Sequence, residues 1–360
     1  MVNSIGYYGQ VRVYAKVVAN NSKDINGIKL EVGDVELVER LDVDSSETLT
    51  KIVVAKDNSG DYKTVQAAID AVSENNIYPV EIFIKDGIYK EVINITSSKP
   101  FIRMIGESKE GTILTYDNYN SKPKPAGGTY GTTGSSTAFL YADNFIAKNL
   151  TFENSFNDPS IEDDGRQAVA IKSQGDKMIF ENVRFIGNQD TLYANAGRQY
   201  FKNCYIEGDV DFIFGAAQAV FNNCEIYSLD RGSSVNNGYV SAASTPIKEP
   251  YGYLFINSRF LSDAPEGTVY LGRPWHPGGD KYAIANVVVR DSYLGAHIKA
   301  EPWTDMSGFK ATEARFYEYQ NSGPGAVINP SRKQLTAEEA KKYTIENILD
   351  GWNPEEVLNK

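Results

Sequence analysis

The chain reads as an all-β solenoid, a parallel β-helix, and three observations predict it. A four-residue pattern recurs as Asn149-Leu-Thr-Phe, Asn182-Val-Arg-Phe, Asn203-Cys-Tyr-Ile, Asn223-Cys-Glu-Ile, Asn257-Ser-Arg-Phe and Asp291-Ser-Tyr-Leu. Its starts step by 33, 21, 20, 34 and 34 residues, a period of 20–21 with insertions, as in stacked coils. Each repeat is rich in β-branched and aromatic residues and carries no helical spacing, which selects strands over a helical repeat. One helical pattern near the start (Val65, Ala68, Ile69, Val72) suits a cap over an otherwise open sheet end.

In chain order, residues 1–50 stand apart. Val11, Val13, Ala15 and Val17 alternate with polar neighbours, as do Ile28, Leu30 and Val32, and a third run covers Val35 to Leu41. These read as three short strands of a small β module, or a fragment of one. Asp44 to Leu49 reads as a linker, and residues 51–360 as the β-helix domain. Ile52–Ala55 is predicted as a buried strand and Lys63–Val72 as the helix, with Asp61 or Thr64 at its cap. Val80–Ile84 follows as a strand, then Gly87-Ile-Tyr-Lys-Glu91.

Within the repeats, the Asn or Asp fits a side-chain ladder at a bend between strands. Phe180, Phe201, Phe221 and Phe255 lie two residues before successive copies. Residues one period apart sit about 4.8 Å apart on neighbouring strands, so Cys204 and Cys224 are expected as neighbours, stacked thiols being favoured over a bridge. Asn118–Ser136 and Leu229–Pro250 break the period as long polar loops, a class that tends to carry function. Thr336–Tyr343 reads as a helix, continued over Thr344–Leu349 after a break, that wraps back along the outside of the solenoid.

Composition bounds the function. The formal net charge is −11 and the sequence pI about 4.9, which argues against nucleic acid as partner. No apolar run approaches the ~20 residues of a membrane span. No His/Cys/Asp cluster has metal-ligand spacing, and neither a phosphate loop nor a Gly-x-Ser-x-Gly elbow is present. Chemistry must then come from carboxylates, amides and arginine. Asp190, in Gln189-Asp-Thr-Leu-Tyr193, and Asp211, in Asp211-Phe-Ile-Phe-Gly215, lie 21 residues apart among apolar neighbours. One coil step therefore brings them together. Gln167 lies near one period before Gln189, and Arg273 sits in Leu271-Gly-Arg-Pro-Trp275. Two carboxylates, two amide donors and a guanidinium suit acyl transfer. One carboxylate attacks, the other donates and then accepts a proton, and the amides hold the oxyanion. Arg273 beside one Asp is expected to keep it ionised, while apolar neighbours raise the other. The plainer alternative for each Asp is a turn or ladder residue, and for Arg273 a salt-bridge partner.

Five motifs, Gly87-Ile-Tyr-Lys-Glu91, Gln167-Ala-Val-Ala, Gln189-Asp-Thr-Leu-Tyr193, Asp211-Phe-Ile-Phe-Gly215 and Leu271-Gly-Arg-Pro-Trp275, stand in order. With them the chain resembles the pectin methylesterases, carbohydrate esterases of right-handed parallel β-helix fold, over about residues 51–350. The resemblance implies Asp211 as the nucleophile on the C6 methyl ester of a galacturonate unit and Asp190 as general acid, then base. It implies Gln167 and Gln189 as oxyanion donors and Arg273 as the residue that orients Asp211. Trp275, Tyr193 and Phe214 would line the sugar groove. Thr137, Ala138, Val210, Arg231 and Met306 would contact neighbouring uronates. No metal or organic cofactor is implied. The expected partner is methyl-esterified pectin, with no nucleic acid and no membrane, acted on by a monomer that is secreted or periplasmic. The acidic pI departs from the basic members of the family. The competing readings are a pectate lyase or polygalacturonase on the same fold, and a β-helix that binds glycans without catalysis.

Overall fold

The computed structural model describes residues 50–359; the expectations for residues 1–49 and the linker fall outside them. Twenty-five strands form three parallel sheets of ten, seven and eight strands. Each sheet takes one strand from each successive coil, which makes the domain a right-handed parallel β-helix. Thr50–Val54 starts the ten-stranded sheet and pairs with Val80–Ile84.

The repeat has a backbone cause. Asn149, Asn182, Asn203, Asn223, Asn257 and Asp291 all have φ between 50° and 55°. Each turns the corner between the ten- and eight-stranded sheets in the left-handed region, which Asn and Asp tolerate better than other side chains. Asn182 Nδ2 donates to Asn149 Oδ1 at 2.7 Å, and Asn223 Nδ2 to Asn203 Oδ1 at 2.7 Å. The expected ladder is thus made in pairs, and Asn257 instead donates to Asn222 at 3.2 Å. Inside the coil, Phe180, Phe201, Phe221 and Phe255 stack with centroids 4.7, 4.7 and 4.5 Å apart, close to the strand spacing. Cys204 and Cys224 are free, buried thiols, and burial pushes the Cys224 thiol up.

The cap helix spans Val65–Ala71, with Thr64 as N-cap and Val65, Ala68 and Ile69 buried. Glu91 accepts from the backbone N–H of Val65 and Gln66, both at 2.9 Å. The last residue of the Gly87–Glu91 motif therefore holds a helix N-terminus, where a carboxylate is favoured. Toward the other end, Arg332 and Glu318 form a buried ion pair with bonds of 2.9 and 2.5 Å. Arg332 Nη1 also donates to the Gly325 carbonyl, and Trp303 stacks on Phe316 at 4.4 Å.

Two expectations need correction. Leu229–Pro250 is not one loop: Gly238–Ala243 is a strand of the seven-stranded sheet, which splits the excursion in two. Its Gly, Ser and Ala content hides the strand pattern. The helix expected over Thr336–Tyr343 is only Ala337–Ala340; Ile345–Ile348 follows after a break, as expected, and a further helix at Pro354–Leu358 went unread. The wrap itself is as expected. Leu335, Ala340, Ile348 and Leu349 bury Ile146, Ile179, Tyr200, Val220, Leu254 and Val288 on the outer face of the ten-stranded sheet. Among the described residues, no helix is long and apolar enough to cross a membrane.

Candidate active site

The site lies on the outer face of the seven-stranded sheet. Its strands include Ala138–Leu140, Ile171–Ser173, Leu192–Ala194, Val210–Gly215, Gly238–Ala243 and Val269–Gly272. Their register aligns Phe139, Lys172, Tyr193, Phe214 and Ala242 in one row. Alternation turns Ala138, Ile171, Leu192 and Ile213 into the core.

Leu192 pairs with Ile213, so the same 21-residue step puts Asp190 beside Asp211 on adjacent coils. Asp190 N–H donates to the Val210 carbonyl at 3.0 Å. Both acids have left-handed backbones, with φ of 66° and 51°. Asp211 also sits in a register shift between Val210 and Ile213. Such a bulge puts an extra residue into the strand and re-aims a side chain. It sends the Asp211 carboxyl to the outer face while Phe212 stays fully buried.

Arg273 grips Asp211 with two bonds, Nε to Oδ1 at 2.8 Å and Nη2 to Oδ2 at 2.6 Å. Its guanidinium lies over the Tyr239 ring at 3.8 Å, which fixes its plane. Asp190 is equally buried, yet among the described residues its carboxyl accepts no hydrogen bond. Burial pushes Asp190 well above the usual carboxylate range, and the Asp211 charge adds to it, with Arg273 opposing. Burial also raises Asp211, against the hydrogen bonds and charge of Arg273. At Asp211 desolvation is the larger effect and Arg273 the opposing one. Both Asp211 oxygens accept from one guanidinium, a geometry that favours a carboxylate at that position.

A cleft of about 240 Å³ opens over these groups, lined by Gln167, Gln189, Asp190, Asp211, Arg273 and Trp275, with Phe214 and Met306. Thr132, Thr133 and Ala242 complete it. Gln167 Oε1 accepts from Asn120 Nδ2 at 2.6 Å. Tyr193 stacks on Phe214 at 4.2 Å, and Trp275 meets both edge-on at 6.1 and 5.6 Å. Tyr193 and Phe214 are nearly buried, so they form a platform beneath the half-exposed Trp275.

The remaining expected contacts divide. Val210 is buried at the bulge. Arg231 lies to one side, with Arg166, Asn188, Gln189 and Asp209 around a smaller cavity, and pairs with Asp209 at 3.6 Å. Thr137 and Ala138 are fully buried, and Thr137 Oγ1 donates to the Glu153 carbonyl at 2.7 Å. They are not brought to the cleft. Thr132 and Thr133, from the preceding loop, take that place. Asp209, Asn120 and Tyr239 also went unread. Asp209 stands two residues before Asp211, and its charge adds to the rise in Asp190. Among the described residues, no group of three or more His, Cys, Asp or Glu is placed to hold a metal ion.

A family model described as pectinesterase matches residues 51–352. A pectinesterase of Ralstonia solanacearum is 41% identical, covering 76% of this chain and 79% of its own length. Pectinesterase 31 of Arabidopsis thaliana is 36% identical, covering 84% and 93%. Among solved structures, the pectin methylesterase of Erwinia chrysanthemi superposes with a TM-score of 0.80 at 35% identity, covering 85% of this chain and 99% of that one. A pectin methylesterase in complex with a hexasaccharide gives 0.79 at 34% identity, with the same coverage.

Proposed function

The chain belongs to the pectinesterase family, and from that premise we propose that it hydrolyses the C6 methyl esters of homogalacturonan with Asp211 as nucleophile and Asp190 as general acid and base. One observation carries the assignment of roles. Two buried acids are adjacent, one gripped by Arg273 through both oxygens and the other with no hydrogen bond to its carboxyl among the described residues.

In the first half-reaction an Asp211 oxygen attacks the ester carbonyl carbon. The carbonyl electrons move onto oxygen, where the side-chain amides of Gln167 and Gln189 donate to the oxyanion. Collapse breaks the bond to the methoxy oxygen, which takes the Asp190 proton and leaves as methanol. An acyl-enzyme anhydride on Asp211 remains. Asp190, now a carboxylate, removes a proton from water as the water oxygen attacks the same carbonyl. The second tetrahedral intermediate expels Asp211 as a carboxylate held by Arg273, and Asp190 is again protonated. The balance is ester plus water to acid plus methanol.

The substrate reading draws on the hexasaccharide complex of the similar pectin methylesterase and on the Trp275 rim over the Phe214–Tyr193 platform, since aromatic faces suit sugar rings. We assign catalysis to residues 51–360, with residues 1–50 as a separate extension, and read the enzyme as a secreted or periplasmic monomer. The test is methanol release and unsaturated-product absorbance on the same methylated pectin. Methanol without unsaturation is expected; unsaturation would mean a lyase, and neither would favour a binding protein.

A further inference from the structure

We infer that Asn120 is a positioning residue for the reaction, setting which end of the Gln167 carboxamide faces the oxyanion. The inference rests on the reading of Gln167 as an oxyanion donor. A carboxamide has a donor end and an acceptor end of nearly the same shape. Only the donor end stabilises an oxyanion; the acceptor end would repel it. Something must choose between them.

Asn120 is placed to choose. Its Nδ2 donates to Gln167 Oε1 at 2.6 Å, which commits that oxygen to the protein and turns the amide nitrogen of Gln167 away from Asn120. Asn120 is itself oriented. Its Nδ2 lies 3.4 Å from both Thr132 Oγ1 and the Asp164 carbonyl, acceptors that suit a nitrogen. Its backbone is paired as well, the N–H donating to the Gln167 carbonyl at 2.8 Å and the carbonyl accepting from Gly131 at 2.9 Å.

The root of its loop is anchored, although the loop holds only a short 3-10 turn at Thr132–Gly134 and one bridge between Pro123 and Thr129. Tyr119 stacks on Phe156 with centroids 3.9 Å apart. Asn154, buried, donates to the carbonyls of Asn118, Ser135 and Val169. The Asn118–Ser136 insertion thus carries a fixed hydrogen-bond donor to the catalytic face, and its Thr132 and Thr133 reach the cleft beside that donor.

The test is a double-mutant cycle on the full chain, reading kcat and KM for methanol release from highly methylated pectin. Gln167→Ala is expected to lower kcat about 10²-fold, as for loss of one oxyanion donor. Asn120→Ala is expected to lower kcat roughly tenfold with KM little changed, and to add nothing in the Gln167→Ala background. Asn120→Asp, which matches the native shape but offers only acceptors, is expected to be worse than Asn120→Ala because it recruits the Gln167 amide nitrogen. A purely structural role predicts the reverse order. Independent losses in the double variant, an unchanged Asn120→Ala, or an Asn120→Asp milder than Asn120→Ala would each overturn the inference. Full activity in Gln167→Ala would instead overturn the oxyanion reading on which it rests.

Discussion

Asp190 and Asp211 hold φ angles of 66° and 51°, a region that costs most residues about 1–2 kcal/mol and that recurs at functional sites. Their 21-residue spacing was legible because it equals the coil period. Their left-handed backbones and the bulge at Asp211 were not, since short polar side chains occupy that region without a distinct signature. Thr137 and Ala138 show the limit of reading by position. The resemblance implied them as uronate contacts, but alternation turns Ala138 into the core and the cleft is lined by Thr132 and Thr133 instead.

The buried Asp190 makes a linked prediction about stability. A carboxyl raised in the folded protein holds its proton more tightly there than in the unfolded chain. It costs nothing below the ordinary carboxylate range, and it costs stability increasingly as pH rises from that range through the folded value. Asp190→Asn cannot ionise. It is expected to melt above the wild type at pH 7, with the gap closing below about pH 4, while kcat falls roughly 10²–10⁴-fold. Melting curves across pH check the first part, and a variant less stable than wild type at pH 7 would contradict it. Arg273→Lys keeps a charge but loses the two-bond grip on Asp211, so kcat is expected to drop about 10–100-fold; unchanged kinetics would show that the fork geometry is dispensable.

At the scale of elements, the repeated Asn was read as a ladder at a bend between strands, and the bend is its more regular feature. Asn203 (φ 54°) accepts from Asn223 at 2.7 Å. Replacement by Ala or by Gly removes that bond equally, but only Gly relaxes into a left-handed backbone. Urea unfolding is expected to place Asn203→Gly about 1 kcal/mol above Asn203→Ala; equal midpoints would mean the side-chain pair matters and the corner does not. The Glu318–Arg332 pair is a second element-scale device. Removing one partner leaves a charge buried alone, so Arg332→Ala is expected to cost about 3–5 kcal/mol. Nothing in the repeat pattern marked it, because the two residues belong to the non-periodic end of the chain. Leu229–Pro250 failed for a related reason: Gly238-Tyr-Val-Ser-Ala-Ala243 is a strand only because flanking coils supply its partners.

For the molecule as a whole, the solenoid turns sequence period into spatial adjacency. That is why five short motifs, spread from Gly87 to Trp275, could be read at all, and why four of them meet at the cleft while the fifth, through Glu91, holds the cap helix. The loops that finish the site have no such period and needed coordinates. The net charge of −11 adds a property no single residue carries. It repels the carboxylate product more than the neutral ester. KM on sparsely esterified pectin is therefore expected to fall severalfold as salt rises through about 0.1 M, where screening reaches ~10 Å. KM on highly esterified pectin is expected to change little, and equal salt dependence for both would remove net charge from the account.

The central claim is that the acid gripped by Arg273 is the one that attacks. Asp211→Asn tests it most directly, because Asn keeps the shape and tolerates the left-handed backbone while losing the nucleophilic charge. Methanol release from methylated pectin by the folded variant is predicted to fall by at least about 10³-fold. Retention of a tenth or more of wild-type turnover would contradict the assignment.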